Sequence, residues 1–97
     1  MRALVRYFCA PERNSLTREL EPIYVVIDIP FVPHEGMAIK VTEDGDYLTV
    51  GNVYWSLNRP DLLDIGLREP EKLSHAPKLA GMKAEGWRLG DPDPETI

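Results

Sequence analysis

Ninety-seven residues, 43% of them hydrophobic and 28% charged, describe one globular domain. They exclude a collagen-like, low-complexity or wholly disordered chain. The formal charge of −5 argues against duplex nucleic acid and anionic lipid surfaces, which both ask for a basic face. A single cysteine, Cys9, excludes an intrachain disulfide and any all-cysteine zinc site.

The longest apolar run, Ile23 to Ile27, is far shorter than the roughly 18 residues of a membrane span. Arg2 and Arg6 interrupt the stretch where a signal peptide needs its apolar centre, so a cytoplasmic location is expected. Charge is unevenly spread. Arg2, Arg6, Arg13 and Arg18 make the first part basic, whereas residues 21–50 set Glu21, Asp28, Glu35, Glu43, Asp44 and Asp46 against Lys40 alone. Four arginines so widely spaced read as a solvated face rather than a phosphate track.

In chain order, Ala3, Val5 and Tyr7 alternate with Arg2 and Arg6, predicting a strand over 2–8, although Leu4 and Phe8 blur the alternation. Residues 11–21 are polar and irregular, with Asn14 or Ser15 placed to cap a short helical turn running to Leu20. Ile23, Val25, Ile27 and Ile29 put β-branched residues on one face of a strand, with Tyr24, Val26 and Asp28 opposite. Pro30 and Pro33 end it, and Pro33 to Gly36 reads as a turn. Met37, Ile39 and Val41 predict a third strand. Glu43-Asp44-Gly45-Asp46 predicts a hairpin, with Asp44-Gly45 as the pair tolerating positive φ.

The returning strand starts at Tyr47 and changes parity: Leu48 and Val50 are apolar at even positions, Val53, Trp55 and Leu57 at odd ones. A slip of one residue would turn every later side chain to the wrong face. A β-bulge at Gly51-Asn52, with Gly51 left-handed, absorbs it. Asn58 to Asp61 makes the next turn, and Leu63, Ile65 and Leu67 form a fifth strand. A helix is predicted from a Ser74 cap to Glu85, with Pro77 in its first turn. Gly86 is its left-handed terminator and Trp87 folds back on Met82. Trp87 to Leu89 is a candidate last short strand, and residues 90–97 read as a disordered tail after a domain of residues 1–89.

The sum is a mainly β (α+β) chain: a small antiparallel five-stranded bent sheet, or an SH3-like barrel, with one C-terminal helix. The barrel comparison is architectural and implies no activity.

The chemistry-bearing residues do not assemble into a catalytic or metal-binding pattern. His34, His75 and Cys9 fall in three separate elements without ligand spacing. Cys9 has arginines nearby in sequence but reads as a small core residue. Asp44 and Asp46 resemble part of a calcium loop, but position 52 is Asn, and turn chemistry accounts for them. Asp28 interrupts an apolar strand and reads as an outward-facing residue, with a buried acid as the alternative. No phosphate loop or nucleophile elbow is present, and no cofactor is expected.

The aromatic residues carry the functional expectation. Tyr24 and Tyr54 lie opposite the apolar faces of their strands, and Phe31 sits between two prolines. Together they are the candidate partner-binding residues, of the kind small barrels use for peptides, and the acidic middle segment favours a basic partner. The alternative is that these rings form a second core face. The expected function is therefore non-enzymatic: a binding or assembly module engaging a protein partner or a second copy, a class that includes small phage- or prophage-type accessory subunits. A nucleic-acid-binding barrel, and an enzyme subunit acting through Asp28 and Glu35, are the alternatives.

Overall fold

The computed structural model describes residues 1–11 and 19–97. The helical turn expected from Asn14 or Ser15 lies outside them. Six strands form one sheet: β1 (Arg2–Cys9), β2 (Glu21–Asp28), β3 (Ala38–Ile39), β4 (Leu48–Ser56), β5 (Arg59–Leu67) and β6 (Arg88–Leu89), with one short helix, α1 (Leu79–Ala84). The sheet order is β3-β4-β5-β1-β2-β6. The molecule is mainly β, and the sheet curls into a half-barrel.

The sheet is mixed rather than antiparallel throughout. β1 and β5 run parallel at its centre, with Ala3 opposite Leu63 and Val5 opposite Ile65, and every other pair is antiparallel. The chain between them is long enough to bring β5 back in either direction. Side-chain alternation fixes which face is buried but says nothing of direction.

The inner face holds the core. Ala3, Val5, Tyr7 and Cys9 from β1 meet Ile23, Val50, Leu63, Ile65 and Leu67 from their neighbours. Each large aliphatic side chain removed from water here contributes roughly 1.5–3 kcal/mol. β4 contributes to this face on both sides of a register shift between Val50 and Asn52, with Val50 opposite Leu67 and Val53 opposite Ile65. This is the bulge that the parity change predicts. Gly51 does not adopt positive φ in it, however; among the described residues only Gly36, Gly86 and Gly90 do. The backbone needs room at Gly51 instead: a Cβ would lie 3.3 Å from both Arg68 Cγ and the Gly66 carbonyl oxygen. Gly45 likewise has ordinary φ, and a Cβ there would collide with Thr42 Oγ1.

Two boundaries move. The β4–β5 turn is Leu57-Asn58 rather than Asn58 to Asp61, and Arg59 and Pro60 already belong to β5. Pro60 is tolerated because it sits in the second register shift, where β4 jumps from Trp55–Leu63 to Ser56–Arg59 and no ladder pair needs a backbone N–H at that position. The helix starts at Lys78 as N-cap, not at Ser74, which lies in a separate 3₁₀ turn, Leu73–His75. Pro77 is the cause. It forces Ala76 out of the helical region, to ψ 140°. The Pro77 carbonyl then accepts from Ala10 N–H at 2.8 Å, a bridge that extends β1.

The helix C-terminus follows its sequence signals. Gly86 has φ +108°, Gly86 N–H donates to the Lys83 carbonyl at 3.1 Å, and Trp87 N–H to the Met82 carbonyl at 3.0 Å. This is the Schellman pattern, and it turns the chain into β6.

The outer face is covered in part as well. Leu4 and Leu62, though on this side, are 0% and 3% exposed. Residues 90–97, where composition predicts a free tail, run back across this side. Gly90 N–H donates to the Pro22 carbonyl, Arg6 holds the Asp91 carboxylate and donates to the Pro92 carbonyl at 3.1 Å, and Arg59 donates to the Pro94 and Ile97 carbonyls. Arg6 also makes a two-point pair with Asp64, at 2.9 and 3.3 Å. Leu4, which blurs the alternation of β1, is thus apolar because that position is also covered.

Candidate functional site

The three aromatic candidates are not equivalent. Tyr24 and Tyr54 share the outer face, but three inter-strand steps separate them: Tyr54 pairs with Asp64 on β5, Asp64 with Leu4 on β1, and the β1 neighbour Arg6 with Tyr24 on β2. That is roughly 14 Å at standard strand spacing, with the Arg6–Asp64 ion pair between them. Tyr24 is half-buried, with Gly90 close to its ring, whereas Tyr54 is exposed beside an outer groove of about 590 Å³. Phe31 lies elsewhere, on the rim of a cleft between β2 and β3.

That cleft comes from how the half-barrel fails to close. The sheet's two outermost edges are β3 on one side and β2 with β6 on the other. The seam between them has two halves. In the half nearer Ala10, α1 fills the gap: Leu79, Met82 and Trp87 are buried, leaving a cavity of about 430 Å³ between the helix and the 40–47 loop. In the other half, β2 beyond Tyr24 has no strand on its β6 side among the described residues, and a cleft of about 610 Å³ is lined by Ile27, Ile29, Phe31, Met37, Ile39 and Tyr47. The aliphatic members, together with Val25 and Val41, pack on the core but stay partly exposed. Pro33 is buried, and the His34–Met37 turn, closed by Met37 N–H to the His34 carbonyl at 3.1 Å, carries Gly36 at φ +89°. A type II turn needs that sign of φ at its third residue.

The backbone of β2 is also open there. Met1 and Ile29 exchange both hydrogen bonds, at 2.8 and 2.9 Å. Antiparallel pairing alternates, so Ile27 and Val25 likewise turn their backbone groups to β1, and the even-numbered residues turn theirs away. β6 and Gly90 use those of Tyr24 and Pro22. Val26 and Asp28 present theirs to an edge with no strand beside it among the described residues.

At the same end of the sheet lies a second exposed apolar group, which the alternation pattern assigns to the core. Trp55 and Leu57 follow the inward parity of Val53, yet they are 53% and 80% exposed. They sit on the β4–β5 hairpin tip, beyond the strands that would cover them, and Trp55 Nε1 donates back to the Pro60 carbonyl at 3.1 Å. Val32, next to Phe31, is exposed too. Their position next to a turn was the signal available in the sequence.

The remaining chemistry-bearing residues are dispersed. Asp28 is exposed on the outer face, 2.9 Å from the Met1 amine, which is the outward-facing reading and not the buried acid. Cys9 lies in the core. His34 and His75 are exposed in separate turns, as are Glu35, Glu43, Asp44 and Asp46 in their loops. Arg59 holds the Asp61 carboxyl below the usual carboxylate range through a 2.9 Å hydrogen bond. Among the described residues no three histidine, cysteine or acidic side chains converge on a common point, and no helix is long and apolar enough to cross a membrane. No protein-family model, curated protein or solved structure matches this chain, so its functional reading rests on the geometry of the seam and the exposed sheet end.

Proposed function

We propose that this chain is a non-enzymatic binding module that engages a protein partner through the open end of its half-barrel. The observation that carries the reading is the collection of Phe31, Val32, Trp55 and Leu57, all exposed, at the one end of the sheet that α1 does not reach. Grouped exposed apolar side chains mark interaction surfaces, whereas scattered ones do not. Of the aromatic residues that the sequence singles out, Phe31 stands at this end, whereas Tyr24 and Tyr54 lie on the outer face.

The alternatives draw less support. Nucleic-acid binding needs available cations, but Arg6 and Arg59 are engaged by Asp64 and Asp61, and Arg2 lies 3.9 Å from Asp61. Asp28 and Glu35, the carboxylates of an enzymatic reading, stand on the exposed surface without a cleft around both. The test is capture of partners from a lysate of the source cells by the wild type and by a Phe31→Ser, Leu57→Ser double variant, both checked for an unchanged circular dichroism spectrum. A stoichiometric protein held by the wild type and lost by the variant is the expected result. Equal capture by both would remove the open end from consideration.

A further inference from the structure

The free edge of β2 has a limited length. β6 occupies it at Ile23 and Tyr24, opposite Leu89 and Arg88, and the chain bends at Pro30. Residues 25–29 stay open between these limits. Among them Val26 and Asp28 turn their backbone donors and acceptors outward, and they stand symmetrically about Ile27. Such a window is its own complement. In an antiparallel pair centred on Ile27, Val26 of one copy faces Asp28 of the other and exchanges both hydrogen bonds with it, and the two-fold repeats the exchange. Centring the pair on Val26 would set Asp28 against Tyr24, whose backbone β6 already uses. Centring it on Asp28 would set two like charges face to face.

We propose that two copies of this chain join through the β2 edge in that register, making one continuous sheet across a two-fold axis at Ile27. Side-chain placement and charge select this partner. The register brings β6 of each copy into line with the other's β2, just beyond its bend at Pro30. Opposite residues of a pair share a face, so Arg88 lies with Tyr24 on the outer face and Leu89 with Ile23 on the inner one. Arg88 of one copy then follows Asp28 of the other along the outer face, two residue positions on, roughly 7 Å at standard strand rise. Arg88 is exposed and pairs with no carboxylate among the described residues. Asp28 holds the Met1 amine at 2.9 Å, yet its side chain is 84% exposed and keeps room for a second cation. On the inner face Leu89, 47% exposed, follows the other copy's Ile29, and the two Ile27 side chains meet at the axis. The two-fold thus sets acid against base and apolar against apolar on both sides of the same contact. The pairing goes beyond the binding-module reading and does not need it: Trp55 and Leu57 stand on the β4–β5 tip, and β5 lies two strands away from this edge.

Sedimentation equilibrium of the wild type over a wide range of concentration should show monomer in exchange with dimer. Val26→Pro removes an outward N–H from each copy while sparing the β1 ladder, which does not use it. It should raise the dimer Kd roughly tenfold or more, the equivalent of the lost main-chain hydrogen bonds. Arg88→Glu and Asp28→Arg each bring like charges together at both two-fold contacts, and each should raise the Kd roughly fivefold or more. An equimolar mixture of these two variants should dimerise more tightly than either alone, because every contact in the mixed dimer again joins opposite charges. Should Val26→Pro unfold, hydrogen exchange on the wild type serves instead: the Val26 and Asp28 amides should slow as concentration rises through the Kd. A wild type that keeps the monomer mass up to about 1 mM overturns the proposal. So does a dimer that a folded Val26→Pro forms equally well, or one in which the Val26 and Asp28 amides exchange as they do in the monomer. Charge variants that dimerise like the wild type and gain nothing from mixing overturn the register. If the wild type stays monomeric while the Phe31→Ser, Leu57→Ser variant loses a cellular partner, the binding-module reading stands and this pairing is wrong.

Discussion

The two halves of the seam are built from similar residues and end differently. Beside Ala10, β1 is prolonged by its bridge to Pro77, and α1 lays Leu79 and Met82 over the gap. A Schellman turn then returns Trp87 to the core at 2% exposure. Beside Met1, equally apolar residues, Phe31, Val32, Trp55 and Leu57, sit on turns and hairpin tips and remain in water. Hydrophobicity alone therefore does not close a sheet. Closure takes an element that can meet its own backbone hydrogen bonds while it covers the gap; a six-residue helix with a glycine terminator does so, and the turns at the other end do not reach across.

Two tryptophans test this contrast most directly. Trp87→Ala should cost about 3–5 kcal/mol, the range for emptying a large buried aromatic site. Its indole Nε1 is buried and finds no acceptor among the described residues, so the loss is one of packing volume. Trp55→Ala should cost no more than about 1 kcal/mol, a lost hydrogen bond to the Pro60 carbonyl and partial burial. Urea denaturation of both variants measures the difference. Comparable losses would mean that the open end is core and that the contrast is false.

Much of this arrangement was legible in the residues. The change of parity between Val50 and Val53 located the bulge, because a period of two leaves no other way to keep both residues inside. Gly86 and Trp87 located the end of α1. What was not legible depended on distant partners. Nothing local in β1 or β5 tells that they run parallel, since the same alternation suits either direction. Pro77 suits a helical first turn by its φ, but its effect on Ala76, and the claim of Ala10 on its carbonyl, decided where the helix began. The same limit explains the candidate site. Alternation placed Tyr24 and Tyr54 on one face but could not say that the Arg6–Asp64 pair lies between them. It assigned Trp55 and Leu57 to the core because parity does not report where the covering strands stop.

Gly86 sharpens the comparison at a smaller scale. A Cβ there meets nothing within 4 Å, and φ is +108°, so Gly86→Ala carries a backbone cost alone, about 1–2 kcal/mol. If closure depends on the glycine terminator, thermal unfolding should shift by that amount and hydrogen exchange should quicken in residues 79–87 before the strands. Uniform quickening across the sheet would show that α1 and the sheet open together.

The smallest effect appears only in alkali and reports on the closed half from inside. Tyr7 is buried at 7% exposure, its ring tilted 50° to Trp87 with centroids 6.1 Å apart. Burial first, and the Asp46 carboxylate second, push its hydroxyl above the ordinary value of 10.0. The folded protein thus holds this proton more tightly than the unfolded chain does. The associated stability is complete below pH 10 and drains away as pH rises from there through the raised value. Tyr7→Phe has no such proton, so its stability relative to the wild type should improve with pH above about 10, while every other tyrosine and lysine titrates alike in both. Denaturation curves between about pH 8 and pH 11 give the comparison. If the two proteins lose stability in parallel, the Tyr7 hydroxyl titrates in the folded state as it does in the unfolded chain, and α1 does not seal its half of the seam.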